Sequence, residues 1–83
     1  NHDFLMSQID LREELEVIEE DRDSLGLEDF LERVDLHIEE NTDSIYKAFE
    51  LNSDLMDIKM YVRELKFYDQ LYKEANKLMD ELL

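Results

Sequence analysis

The nearest approach to a metal-binding motif is the run from Asp21 to Glu32. Its acidic residues at the first, third and twelfth places, and Gly26 at the sixth, match the calcium-binding loop of an EF-hand. Such a loop also needs an oxygen ligand at its fifth place and an apolar residue at its eighth, where this sequence has Leu25 and Glu28. The apolar residues of the run already keep the spacing of a helix. We therefore interpret the run as a junction between two helices rather than as a calcium site.

Other residues that could support catalysis or metal binding are sparse. His2 and His37 are the only imidazoles, and neither has the spacing to further ligands that a metal site needs, so both are expected at the surface. The sequence has no Cys, which excludes thiolate chemistry and disulfides and fits a cytoplasmic protein. Pairs of carboxylates are common here, but acid–base catalysis also needs a concave site that shifts their pKa values. We expect no enzyme, no cofactor and no bound metal.

The composition narrows the class of protein further. The 83 residues include 24 acidic and 9 basic side chains, for a net charge of −15, which opposes binding to nucleic acids and anionic membranes. No stretch is long and apolar enough to cross a membrane. With no Pro and a single Gly, the chain lacks the residues for tight hairpins and phosphate-binding loops. A single helical domain is the expectation, and a chain that starts with Asn rather than Met is expected to be a fragment.

Apolar residues recur with the period of three helices. The first is predicted from about Asp3 to Asp23 and ends where Gly26 can adopt a positive φ. The second runs from Leu27 to about Leu51, because the apolar period passes without a slip through the polar stretch 41–44. In the third, which extends to the chain end, Asp54 supplies an N-terminal cap. Short connections make neighbouring helices antiparallel, so the expected fold is an all-α, antiparallel up-down-up three-helix bundle.

Each helix is expected to bury one apolar stripe. The predicted core positions are Phe4, Leu11, Leu15 and Ile18 in the first helix; Leu27, Leu31, Val34, Ile38, Ile45 and Phe49, with Phe30 and Ala48 at the edge, in the second; and Ile58, Tyr61, Val62, Leu65, Tyr68, Tyr72, Ala75 and Met79 in the third. Leu36 lies outside the second stripe. A second apolar set on another side of the third helix comprises Met56, Met60, Phe67, Leu71 and Leu78.

The first helix also has apolar residues opposite its core stripe. Measured from Phe4, these residues lie at about 100° to 220° around the helix, and they are Leu5, Met6, Ile9 and Val17. Acidic residues are interleaved with them, namely Asp10, Glu13, Glu16 and Glu20. A contiguous apolar patch framed by like charges is typical of a protein-binding surface. The alternatives are packing against a domain outside this sequence or against a second copy of the bundle.

Three stretches resemble the C-terminal domain of HscB-type J-protein co-chaperones, which serve iron-sulfur cluster assembly. Residues 4–16, Phe-Leu-Met-Ser-Gln-Ile-Asp-Leu-Arg-Glu-Glu-Leu-Glu, are similar to the signature of that family's first helix. Residues 27–34 resemble the start of its second helix, and residues 62–71 resemble a block of its third. The resemblance covers essentially the whole chain, in order, and is weakest in the middle of the second helix.

The resemblance implies a binding function. In this family the C-terminal bundle captures the cluster scaffold protein IscU, while a J-domain with a His-Pro-Asp motif stimulates ATP hydrolysis by the Hsp70-type chaperone HscA. The motif cannot occur in a sequence without Pro, so we expect the client-binding half alone. The family's scaffold-contacting residues correspond to Leu5, Met6, Ile9, Asp10, Glu13 and Phe67. An acidic residue of the family is replaced by Val17, and Glu16 or Glu20 are candidates to substitute for it. The competing hypothesis is a homodimerisation module that buries the same face.

Overall fold

Three helices account for nearly all of the structure, a computed structural model that describes residues 2–83. They are α1 (His2–Asp21), α2 (Ser24–Glu50) and α3 (Leu55–Leu82), in a bundle of 45 × 23 × 15 Å. Within the described residues, none of the helices has an apolar stretch long enough to cross a membrane.

Contacts between side chains fix the directions of the helices. On α1, the Phe4 ring contacts Phe67 and Arg12 binds Glu74, so the residue numbers on α1 and α3 rise together and these helices are parallel. Helix α2 is antiparallel to both, as its short connections require. The predicted all-α, up-down-up three-helix bundle is confirmed.

The core is centred where all three helices meet. Four side chains at its centre are almost completely buried: Leu27, Phe30 and Val34 from α2 and Leu71 from α3. Further buried side chains are Leu11, Ile18, Tyr68, Ala75 and Leu78, with Phe4, Leu15, Leu31, Ile38, Tyr72 and Met79 packed around them. The predicted core stripe of α1 is therefore confirmed.

On α2 and α3, the buried side of the helix is rotated about the helix axis from the side that the sequence pattern predicts. Phe49, predicted in the core, is 62% exposed, whereas Phe30, predicted at the edge, is buried. On α3, Leu71 and Leu78 belong to the core, although the sequence pattern assigned them to a separate side. The reason is that α1 packs along the side of α3 that carries Phe67, so the buried arc of α3 turns toward α1.

The junction between α1 and α2 differs from the prediction. Gly26 has no positive φ; instead Arg22, with a φ of 49°, turns the chain after α1. The carboxylate of Asp23 then caps α2 by accepting a hydrogen bond of 2.9 Å from the Gly26 backbone N–H. Helix α2 consequently begins at Ser24, three residues before the predicted start, and the EF-hand-like run is indeed a helix junction.

Gly26 is required by the cap rather than by a left-handed turn. A Cβ atom at this position would collide with the Asp23 carboxylate. We expect Gly26→Ala to displace the cap, which costs about 1 kcal/mol and offsets the gain in helix propensity. In the Asp23→Ala background the same substitution should raise the free energy of unfolding by up to about 1 kcal/mol. Urea unfolding of the unmodified domain, the two single variants and the double variant measures the coupling free energy between Gly26 and Asp23. If Gly26→Ala changes the free energy of unfolding equally with and without Asp23, the cap does not explain the glycine.

The remaining parts of α2 and α3 follow the predictions. Helix α2 continues through the polar stretch 41–44, where Asn41 is buried and its side-chain amide donates to the Tyr61 carbonyl and to Glu64. At the second junction Asp54 caps α3 by accepting a hydrogen bond of 2.9 Å from the Met56 backbone N–H. The predicted cap is confirmed, and both long helices form without a break.

Candidate protein-binding surface

The outward face of α1 carries an exposed apolar patch, formed by Leu5, Met6 and Ile9. These side chains are 52%, 44% and 44% exposed, respectively, while Leu11 and Ile18 on the opposite side are buried. The prediction that α1 is apolar on two faces is confirmed. Because the core needs only one of these faces, the patch is free to contact another molecule.

Acidic side chains surround this patch. Asp10 and Glu13 are exposed and, among residues 2–83, form no ion pair. Glu14, by contrast, forms an ion pair with Arg33 that links α1 to α2. Helix α1 as a whole contains eight acidic residues and a single arginine. The patch is thus embedded in a strongly negative surface, which favours a partner with basic groups.

Phe67 lies at the seam between α1 and α3. Its ring centroid is 5.7 Å from that of Phe4, edge to face, and the Arg12 guanidinium lies 5.5 Å from the ring centroid. Arg12 also binds Glu74 at 2.9 Å and so joins the two helices. Leu5, Ile9 and Arg12 form one ridge of α1, at i, i+4 and i+7. The structure therefore brings Phe67 beside the apolar patch.

The seam is backed by a rigid aromatic layer. Tyr68 is buried behind Phe67, with ring centroids 5.2 Å apart, and it stacks face to face on His37 at 4.5 Å. Burial raises the pKa of the Tyr68 phenol, and the neighbouring carboxylates of Glu64 and Glu40 raise this pKa further. This direction reinforces the neutral form that a phenol already has at physiological pH. His37, expected at the surface, is half-buried because of this stack.

Two residues of this surface were not recognised in the sequence. The helical period places Phe4 in the core stripe and predicts no role for Arg12, yet together they position Phe67. The signal for Arg12 is its spacing from Leu5 and Ile9, which places it on the same ridge. Of the predicted site residues, the structure brings Leu5 and Ile9 to the ridge beside Phe67, while Met6, Asp10 and Glu13 lie on the outward face of α1.

Comparison with known proteins identifies the family of the chain. No solved structure matches the chain with significance. The family model described as the HSCB C-terminal oligomerisation domain matches residues 1–76 of the 83. The match extends over all of α1 and α2 and most of α3. The chain therefore belongs to this family and is the C-terminal domain of an HscB-type co-chaperone.

Proposed function

We propose that this domain binds the client of its co-chaperone, and that the client is an iron-sulfur cluster scaffold protein of the IscU type. The exposed patch of Leu5, Met6 and Ile9 beside Phe67 is the observation that carries the proposal. The family is one of non-catalytic chaperones, in which a binding surface is the expected functional element. The proposed site comprises Leu5, Met6, Ile9, Asp10, Glu13 and Phe67.

Binding energy would come mainly from the apolar side chains. A few anchor residues that become fully desolvated usually dominate a protein interface. Leu5 and Ile9 can insert into a pocket of the partner, and Met6 can adapt to more than one shape of the client because its side chain is flexible and polarizable. Asp10 and Glu13 would pair with basic groups of the scaffold, which sets orientation and speeds association.

Delivery to an Hsp70-type chaperone of the HscA type is the second half of the proposal. In the family this step uses the His-Pro-Asp motif of a J-domain, and the present sequence contains no Pro. We therefore assign to this domain the capture of the scaffold alone. The domain without a J-domain is expected to leave the ATPase rate of the chaperone unchanged.

The proposal can be tested by titrating the ¹⁵N-labelled domain with a purified IscU-type scaffold protein. We expect amide shifts at residues 5–13 and around Phe67, while Leu25 and Leu36 on the outward face of α2 remain unperturbed. Higher ionic strength should weaken the affinity without abolishing it, because salt screens the carboxylates but not the apolar anchors. Shifts centred on α2, or no binding at any salt concentration, would refute the proposal.

A second candidate function is self-association through the same face. The description of the matching family as an oligomerisation domain favours it. A net charge of −15 on each copy opposes it, since the α1 patches would bring like charges together. Sedimentation over a range of concentrations distinguishes the candidates: a monomer that binds scaffold supports the first, and a tight dimer with Leu5 and Met6 protected supports the second.

A further inference from the structure

Helix α3 carries a basic stripe on the side that faces away from the core. The stripe consists of Lys59, Arg63, Lys66, Lys73 and Lys77, all of them exposed. At 100° per residue these side chains lie within about 40° of one line along the helix. The line is about 27 Å long. More than half of the nine basic residues of the chain are therefore collected on one narrow surface.

Most cations of the basic stripe form no ion pair with the described residues of the bundle. Only Lys73 has an ion-pair partner among the described residues, Asp69 on the preceding turn, at 3.1 Å. Lys59, Arg63, Lys66 and Lys77 have none there. The cations that do connect helices, Arg12 and Arg33, lie on α1 and α2. The stripe thus keeps four unpaired cations in a chain that has a large excess of carboxylates.

Apolar grooves flank the first half of the basic stripe. On one side Ile58 and Val62 lie beside Lys59, Arg63 and Lys66 and line a groove of about 280 Å³. On the other side, a groove of about 340 Å³ is lined by Lys59 and Arg63, by the carboxylates of Asp57 and Glu64, and by apolar side chains; the apolar ones are Phe4, Met56 and Met60. The surface therefore combines cations with apolar contact area, as helix-binding surfaces do.

We propose that the basic stripe of α3 binds an acidic amphipathic helix of a partner protein. Successive cations are spaced by four, three, seven and four residues, so carboxylates at the same spacing on a helix laid along α3 would meet them in turn. Apolar residues of that helix would fill the flanking grooves. None of the five cations belongs to the proposed scaffold site, so the inference does not depend on scaffold binding; the second groove shares only Phe4 with the α1–α3 seam.

The narrowness of the stripe determines the class of partner. The exposed carboxylates that flank it on the same helix, at about 40° to 80° from its line, are Asp69, Glu74, Asp80 and Glu81. A nucleic acid duplex or an anionic membrane would meet these carboxylates within one Debye length, about 8 Å at physiological salt. A single helix, about 10 Å across, can touch the cations and avoid most of the surrounding negative charge.

A synthetic peptide provides the test. The probe is a capped helical peptide of about 20 residues, with Glu at the spacing of the stripe and Leu beside each Glu. We expect amide shifts at residues 56–77 and at Phe4, which lines one groove, and an increase in peptide helicity on binding. A peptide of the same composition in scrambled order should bind at least about ten-fold more weakly, because its carboxylates and apolar side chains no longer share a face.

Two charge-matched variants complete the test. Lys59→Gln/Arg63→Gln should weaken binding of the probe at least about ten-fold, whereas Arg22→Gln/Lys47→Gln, which removes two cations elsewhere, should change it less than about two-fold. Equal losses in both variants, or equal affinity for the scrambled peptide, would overturn the proposal. Tighter binding of duplex DNA or of phosphatidylserine vesicles than of the probe would also overturn it.

Discussion

The substitution Phe30→Ala is expected to lower the free energy of unfolding by about 3–5 kcal/mol. The ring is completely buried at the centre of the bundle, among Leu27, Val34 and Leu71. Truncation would remove the transfer free energy of the ring and leave a cavity that three long helices cannot easily close. Because small domains are stable by only about 5–15 kcal/mol, this one change should remove much of the stability of the bundle.

The matched control is Phe49→Ala, on the same helix. Phe49 is 62% exposed, so its truncation should change the free energy of unfolding by no more than about 0.5 kcal/mol. Urea denaturation followed by circular dichroism measures both variants. If Phe30→Ala does not fold, Phe30→Leu, with an expected cost of about 1 kcal/mol, takes its place. If Phe49→Ala lowers the free energy of unfolding more than Phe30→Ala does, Phe30 is not at the centre of the core.

This pair of phenylalanines shows where prediction from the sequence fails. The helical period identified an apolar stripe on α2 and its approximate width, but Phe30 and Phe49 lie on opposite edges of that stripe. The position of α1 decides which edge of the α2 stripe is buried. The apolar period of α2 cannot predict this, because it does not depend on where the other helices pack. The same cause explains Leu71 and Leu78, which α1 covers although the apolar pattern of α3 is centred on another side of the helix.

The helix junctions show a second limit. Asp54 was identified as a cap because polar capping residues precede an apolar period, and the structure agrees. At the first junction the sequence pattern predicts a turn at Gly26, whereas the structure has the same kind of cap, at Asp23. A glycine can be needed for close approach as well as for a positive φ, and only the position of the neighbouring carboxylate distinguishes the two.

The candidate binding surface was predictable only in part. That Leu5 and Ile9 point away from the core followed from the period of α1, since a side chain about 100° from the core stripe cannot reach it. Only the family resemblance predicts that Phe67 belongs to the same surface. The apolar pattern of a single helix does not predict which residues of a distant helix it contacts. The structure supplies the physical link through Phe4 and Arg12.

Phe67 also shows that one surface residue can have two roles. It packs against Phe4 and Tyr68 as part of the outer core, so Phe67→Ala would lower stability as well as any affinity. A test of binding that relies on this residue would mix the two effects. Leu5 and Ile9 are better probes, because their side chains are roughly half exposed in the free domain.

On the proposed function, Leu5→Ala/Ile9→Ala should lower the affinity for an IscU-type scaffold by at least about 100-fold. An anchor residue that is desolvated in an interface contributes about 2 kcal/mol or more, and 1.4 kcal/mol corresponds to a factor of ten. The free energy of unfolding of the domain should change little, since neither side chain is buried. Isothermal titration calorimetry measures the affinity, and urea unfolding of the same protein verifies that the fold is retained.

The matched control for this prediction is Leu25→Ala/Leu36→Ala. These leucines are 77% and 56% exposed and share the outward face of α2, so the control removes at least as much exposed apolar area from another surface. Its affinity for the scaffold should stay within about two-fold of the unmodified domain, because residues outside an interface contribute almost nothing to binding. Equal losses in the two variants would mean that exposed apolar area in general, rather than the α1 patch, holds the client. An unchanged affinity in the Leu5/Ile9 variant would remove α1 from the proposed site.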